Sequence, residues 1–136
     1  MLINKIKIFS SLCLYLFLNN MVSADSNVLE LNWELDGLSN PESVIYDPTL
    51  NHLYVSNVNG SPIEKDANGF ISIVSLSGKI IQEKWVIGLN APKGLALHGR
   101  TLYTADIDEL VAIDIDSGRI INKFKVDDAK FLNDVT

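Results

Sequence analysis

The chain matches itself at three places. Gly37-Leu38-Ser39-Asn40-Pro41-Glu42-Ser43-Val44 aligns with Gly88-Leu89-Asn90-Ala91-Pro92-Lys93-Gly94-Leu95, then with Ala129-Lys130-Phe131-Leu132-Asn133-Asp134-Val135. Leu53-Tyr54-Val55-Ser56-Asn57 follows the first copy and Leu102-Tyr103-Thr104-Ala105-Asp106 the second. Phe70 to Gly78 and Leu110 to Gly118 come next, both ending in Ser-Gly. The intervals are 51 residues from Pro41 to Pro92 and 40 from Pro92 to Leu132. Nine of the eleven extra residues fall between Val58 and Gly69. A period of this length means one supersecondary unit stacked on its neighbours, so a repeat architecture takes precedence over any local assignment.

Each unit reads as four short strands. Ser43 to Asp47 and Gly94 to His98 are mostly apolar, the pattern of a strand buried on both faces. The Leu-Tyr segment is the second strand. In the third, Val111, Ile113 and Ile115 alternate with Ala112 and Asp114. In the fourth, Ile120, Phe124 and Val126 share a face, with Lys123 and Lys125 on the other. Gly, Asn and Asp punctuate the gaps, and no helical period competes. Four antiparallel strands per unit of about 40–50 residues is the spacing of a β-propeller blade. Ahead of the first unit, Leu29, Leu31, Trp33 and Leu35 alternate with Glu30, Asn32 and Glu34. This segment holds the slot before Gly37 that Ile81 to Val86 holds before Gly88, so it is expected to be a closing outer strand. The fold class is therefore all-β: a closing strand, two four-stranded blades and the start of a third. Propellers need about four to eight blades, so the chain is expected to be the N-terminal part, about 40%, of a six-bladed parent.

The first 24 of the 136 residues read as an export signal. Lys5 and Lys7 form its basic region, Ile8 to Leu18 its apolar run, and Val22-Ser23-Ala24 its cleavage site. The apolar run is shorter than the about 20 residues of a spanning helix, so no stable membrane span is expected after its removal. An uncleaved N-terminal anchor is the other reading. On either, residues 25–136 work outside the cytoplasm, in the periplasm or beyond the cell. That part carries nine basic against seventeen acidic residues, a net charge of −8. Nucleic-acid binding is excluded on charge, because it needs basic side chains to replace counterions. The one cysteine, Cys13, lies in the signal, leaving no disulfide, thiolate metal site or thiol nucleophile in the rest.

Glu42, Lys93 and Asn133 hold the same repeat position, at the entrance of the innermost strand. Around a propeller axis the three converge on one channel mouth. A carboxylate with an amide oxygen suits a hard cation such as calcium. Lys93 would offset substrate charge or pair with Glu42; a structural Glu–Lys pair closing the channel without metal is the alternative. The Val58–Gly69 insertion joins strands two and three on the same face, as a substrate-selecting flap or a solvated hairpin extension. Asn57 and Asp106 are equivalent and read as backbone-bonding residues at a strand end. Asp114 to Gly118 reads as a turn, because it lacks the distal ligands of a calcium loop. His52 and His98 fall in turns on the opposite face, and Trp33 and Trp85 read as packing residues.

Pro41-Glu42-Ser43-Val44-Ile45-Tyr46-Asp47 followed by Leu53-Tyr54-Val55-Ser56-Asn57 resembles the opening blade of the gluconolactonase/regucalcin-like six-bladed propellers. Phe131-Leu132-Asn133-Asp134-Val135 resembles the Asn-Asp segment of their third blade. The resemblance implies a metal-dependent hydrolase of the lactonase type, acting on a small-molecule lactone, with a divalent metal, usually calcium, in the channel. It implies Glu42 as a metal ligand and Asn133 as a substrate contact, with Lys93 beside them. The remaining ligands and the catalytic base would lie beyond Thr136. Val44 stands where the family has proline and Tyr46 where it has tryptophan. A non-catalytic binding or scaffold propeller is the alternative function.

Overall fold

A computed structural model describes residues 30–136; the expected export signal, Cys13 and Leu29 lie outside the described residues. Eight strands follow one another: β1 (Pro41–Asp47), β2 (His52–Asn57), β3 (Gly69–Ser75), β4 (Ile80–Leu89), β5 (Pro92–His98), β6 (Thr101–Asp106), β7 (Glu109–Asp114) and β8 (Arg119–Lys125). They form two four-stranded antiparallel sheets, ordered β1-β2-β3-β4 and β5-β6-β7-β8. Every ladder joins sequence neighbours, as short turns between apolar runs favour. At the β1–β2 turn, Asp47 Oδ1 accepts the backbone N–H groups of Thr49 and Leu50. At the β7–β8 turn, Asp114 Oδ1 accepts both the N–H and the Oγ–H of Ser117. The Ser117 hydroxyl holds the Asp114 carboxyl below its ordinary range. The segment from Asp114 to Gly118 is therefore a turn, as its sequence reads.

The two sheets meet face to face. Pairing puts Ile45, Tyr54 and Ile73 opposite one another on one side of the first sheet. They share a cluster with Leu95, Leu97, Leu102, Val111 and Ile113 of the second. Tyr54 stacks on Trp85 with centroids 4.7 Å apart, and His52 meets its edge at the same separation. His52 thus opens β2 half-buried, where a surface turn was expected, while His98 is exposed at the end of β5.

The repeat shows in the details of pairing. In the first sheet the β1–β2 register slips between Pro41 and Val44, and in the second the β5–β6 register slips between Pro92 and Leu95. Gly78 and Gly118 take left-handed φ values of +73° and +65° at the ends of equivalent turns. Each lies under a tryptophan: a Cβ would come within 2.7 Å of Trp33 at Gly78 and 2.8 Å of Trp85 at Gly118. The third copy begins similarly. Leu132 bridges to Ile107, and the Asn133 carbonyl accepts the N–H of Gly94 at 2.9 Å.

The structure corrects three expectations. First, Phe70 lies thirteen positions after its partner Asn57, but Glu109 only three after its partner Asp106. The loop after β2 thus holds ten extra residues, not nine. The next turn compensates: Gly78 N–H reaches back to Ser75, whereas Gly118 N–H reaches Asp114. Sequence alignment fixed on Ser-Gly could not see the one-residue shift. Second, Val44 and Tyr46 are 59% and 46% exposed, so β1 is buried on one face only. Third, residues 30–38 form no strand. A ladder requires a neighbouring edge in register, and this segment has none among the described residues. Its apolar side chains pack locally instead. Trp33, Leu35 and Leu38 line a groove with Val44, Leu53, Val55 and Val74, and Trp33 Nε1 donates to the Leu76 carbonyl.

Two predictions follow from this packing. Gly118→Ala combines a left-handed residue with contact on Trp85; urea unfolding is expected to show a loss of about 2 kcal/mol. Burial and the adjacent Asp47 carboxylate push the Tyr54 phenol from 10.0 up to about 12. The neutral phenol is the folded form, so its contribution is complete below pH 10 and lost as pH rises through 12. Tyr54→Phe is expected to remove that fall in stability, about 2–3 kcal/mol between the two limits, in unfolding curves taken across pH 9–12.

Candidate functional site

Glu42 and Lys93 lie in the two register slips at the starts of β1 and β5. A slip of this kind re-aims side chains at a strand end, which is why such irregularities accompany binding and catalytic sites. The loops leading into the two slips are fixed the same way. Asn57 Oδ1 accepts the N–H of Ser39 at 3.0 Å. Asp106 accepts two N–H groups, from Asn90 at 2.9 Å and Ala91 at 2.7 Å. Both side chains are fully buried. The backbone-pinning role read for Asn57 and Asp106 is therefore what the structure shows, with the second copy more strongly bound through a full carboxylate.

The three repeat-equivalent polar residues have different surroundings. Glu42 is exposed and lines an open groove of about 350 Å³ with Asn40, Pro41, Val58, Gly60 and Pro62. It makes no ion pair among the described residues. Lys93 is 1% exposed. Its Nζ donates to the carbonyls of Pro62 and Ala91, each at 3.0 Å, and sits 4.6 Å from the centre of the Phe131 ring. Burial pushes the ammonium below the ordinary lysine range, while the Asp106 and Glu42 carboxylates pull the other way. Lys93, expected to meet substrate, does not line the Glu42 groove. Its donors point into the protein because the insertion supplies a carbonyl at that spot. Asn133 is exposed at the third position, tied down by its own carbonyl.

The insertion after β2 is a docked segment. Val58 packs with Ala91 and Ile107, and the Val58 and Asn59 N–H groups donate to the Asn40 and Ser39 carbonyls. Asn59 Nδ2 donates to the Asn68 carbonyl at 2.8 Å, bracing the loop across its neck. Farther out, Lys65 Nζ reaches Asp108 Oδ2 at 2.6 Å, and the Ala67 N–H donates to Asn90 Oδ1. The hydrogen bond from Lys65 holds the Asp108 carboxyl below its ordinary range, and Asp108 in turn raises Lys65. Neither Asp108 nor Phe131 carried a sequence signal. Phe131 aligns with Asn40 and Ala91, so nothing in the repeat marked a ring over a cation.

A divalent cation at Glu42 would need further oxygen donors around it. Calcium takes six to eight oxygen ligands. The groove offers one carboxylate, and among the described residues no three His, Cys, Asp or Glu side chains converge on a metal-holding group. Among the lining residues Glu42 thus brings the only carboxylate, with the Asn40 side-chain amide beside it.

No known family model matches the chain, and no curated protein matches it in sequence. Among solved structures, a chain in the crystal structure of a nidogen/laminin complex is similar at 16% identity and a TM-score of 0.41. The match covers 81% of this chain and spans 56% of that one.

Replacing Asp106 by its repeat counterpart tests the site's framework. Asp106→Asn retains one acceptor oxygen for two N–H donors and turns an amide toward one of them. A loss of about 2 kcal/mol is expected by urea unfolding, and Asn57→Asp, which loses the Nδ2 bonds to the Val55 carbonyl and the Ser72 hydroxyl, is expected to lose about as much.

Proposed function

We propose that the two sheets are blades of a gluconolactonase/regucalcin-like six-bladed β-propeller, exported from the cytoplasm, that hydrolyses a small lactone with the help of calcium. The observation that carries this reading is the shared register slip. It sets Glu42 and Lys93 at the same position of two first strands, with Asn133 at the start of the third copy. The tryptophan-on-glycine turns support the propeller part. Trp33 sits on the first sheet as Trp85 of β4 sits on the second, which is the place of a closing strand. Further blades would supply the rest of the ring, the remaining metal ligands and the catalytic base.

On this reading Glu42 contributes a carboxylate to the cation, and the exposed Asn133 amide holds a hydroxyl or carbonyl of the substrate. A calcium ion bound there supplies Lewis-acid polarisation of the lactone carbonyl. Asp106 and Asn57 act earlier in the chain of causes, by fixing the backbone from which Glu42 and Lys93 project.

A non-catalytic binding propeller is the second reading. It is favoured by one fact: Glu42 is the sole titratable side chain among the residues lining its groove. Calorimetric titration with calcium, paired with acid release from a panel of lactones, separates the two. On the hydrolase reading Glu42→Gln weakens calcium binding at least tenfold and lowers turnover in parallel. Calcium binding that depends on Glu42 without turnover on any lactone selects the binding module. Absence of calcium binding by the intact protein overturns the metal site.

A further inference from the structure

Lys93 raises a question the proposed chemistry does not answer. A buried ammonium is expensive unless its donors are matched, yet this one bonds two backbone carbonyls and a ring face and no carboxylate. Its partners come from three successive copies of the repeat. Pro62 belongs to the insertion of the first, Ala91 to the entrance of the second, and Phe131 to the start of the third. Lys93 is the point where all three are tied together. Pro62 is also a wall of the Glu42 groove, with Val58 and Gly60 of the same loop.

We propose that Lys93 is a positioning residue, holding the loop from Val58 to Asn68 in place as one wall of the Glu42 groove. The Pro62 carbonyl accepts from an ammonium buried in the interior, and this fixes the loop on its inner side. The Lys65–Asp108 pair fixes it from outside, half in solvent and therefore weakened by salt. The Phe131 ring contributes a cation–π contact from the side. The loop's inner part thus depends on Lys93 and its outer part on Lys65. The groove's shape rests on the proposed function only in what it binds; the latch itself is a property of the fold.

Hydrogen exchange read by mass spectrometry on the full chain tests this. Lys93→Met keeps the length of the side chain and removes its donors. The amides of Val58 and Asn59 should then exchange at least tenfold faster, with β2 and β6 within twofold of the parent. Lys65→Ala should free the Ala67 amide and leave Val58 and Asn59 protected. Salt at about 1 M should mimic Lys65→Ala and not Lys93→Met. If Lys93→Met does not fold, Phe131→Leu is read the same way, with a rise of about threefold expected at Val58 and Asn59. Loop exchange within twofold of the parent in the folded variant overturns the latch, as does an equal rise in β2 and β6. Calcium titration of the same variants keeps the two ideas apart. If the parent binds calcium, loss of the latch should weaken it at least threefold. If the parent binds none, the metal reading fails while the exchange result still stands.

Discussion

The structure depends on one sheet face packing against the next. Tyr54, Ile71 and Ile73 on one side of the first sheet, with Leu95, Leu102, Val111 and Ile113 on the facing side of the second, make one continuous apolar cluster. Each sheet alone is a meander of local ladders, too small to exclude water from either face. Stacking supplies the burial, and its consequences reach the polar site. β1 lies beside β5 because the faces are pressed together, and so Glu42 and Lys93 start from neighbouring strands. The register slips at Pro41 and Pro92 then turn both side chains out of the alternation that would have sent one into the core.

The same repeat position has taken three chemical forms for physical reasons that lie outside the position itself. Glu42 opens onto solvent because the loop beside it leaves a groove. Lys93 is enclosed because that loop reaches across and places the Pro62 carbonyl over it. Asn133 is exposed, and its main chain carries the attachment. The insertion therefore breaks the equivalence of the copies. The Lys65–Asp108 pair and the brace between Asn59 and Asn68 keep it there.

Much of this was legible in the sequence. The four strands of each unit and their order followed from alternation and turn residues, and the pinning roles of Asn57 and Asp106 from their equivalence. Strand Ser43–Asp47 misled because an apolar run states what a face prefers and not what covers it; Val44 and Tyr46 remain largely exposed. The outer segment before Gly37 misled differently. Its alternation is real, and Trp33 uses it, but a strand is a relation between two segments and cannot be read from one. At the site, position was legible and environment was not. Nothing in Lys93 or Phe131 alone shows that a ring from one copy would face an ammonium from another.

The tryptophan-capped glycines at residues 78 and 118 have a consequence for how such a chain tolerates change. Trp85 links β4 of the first sheet to the final turn of the second, and Trp33 links the segment before the first sheet to that sheet's own final turn, each through an aromatic plane resting on a position without a side chain. The contact does not depend on what lies between them. Loop length after the second strand is thereby decoupled from stacking, and ten residues have entered there while the next turn gave up one. A fold with such fasteners at its turns is free to vary in the loop after the second strand. Novelty in one unit then leaves the alignment of its neighbours intact.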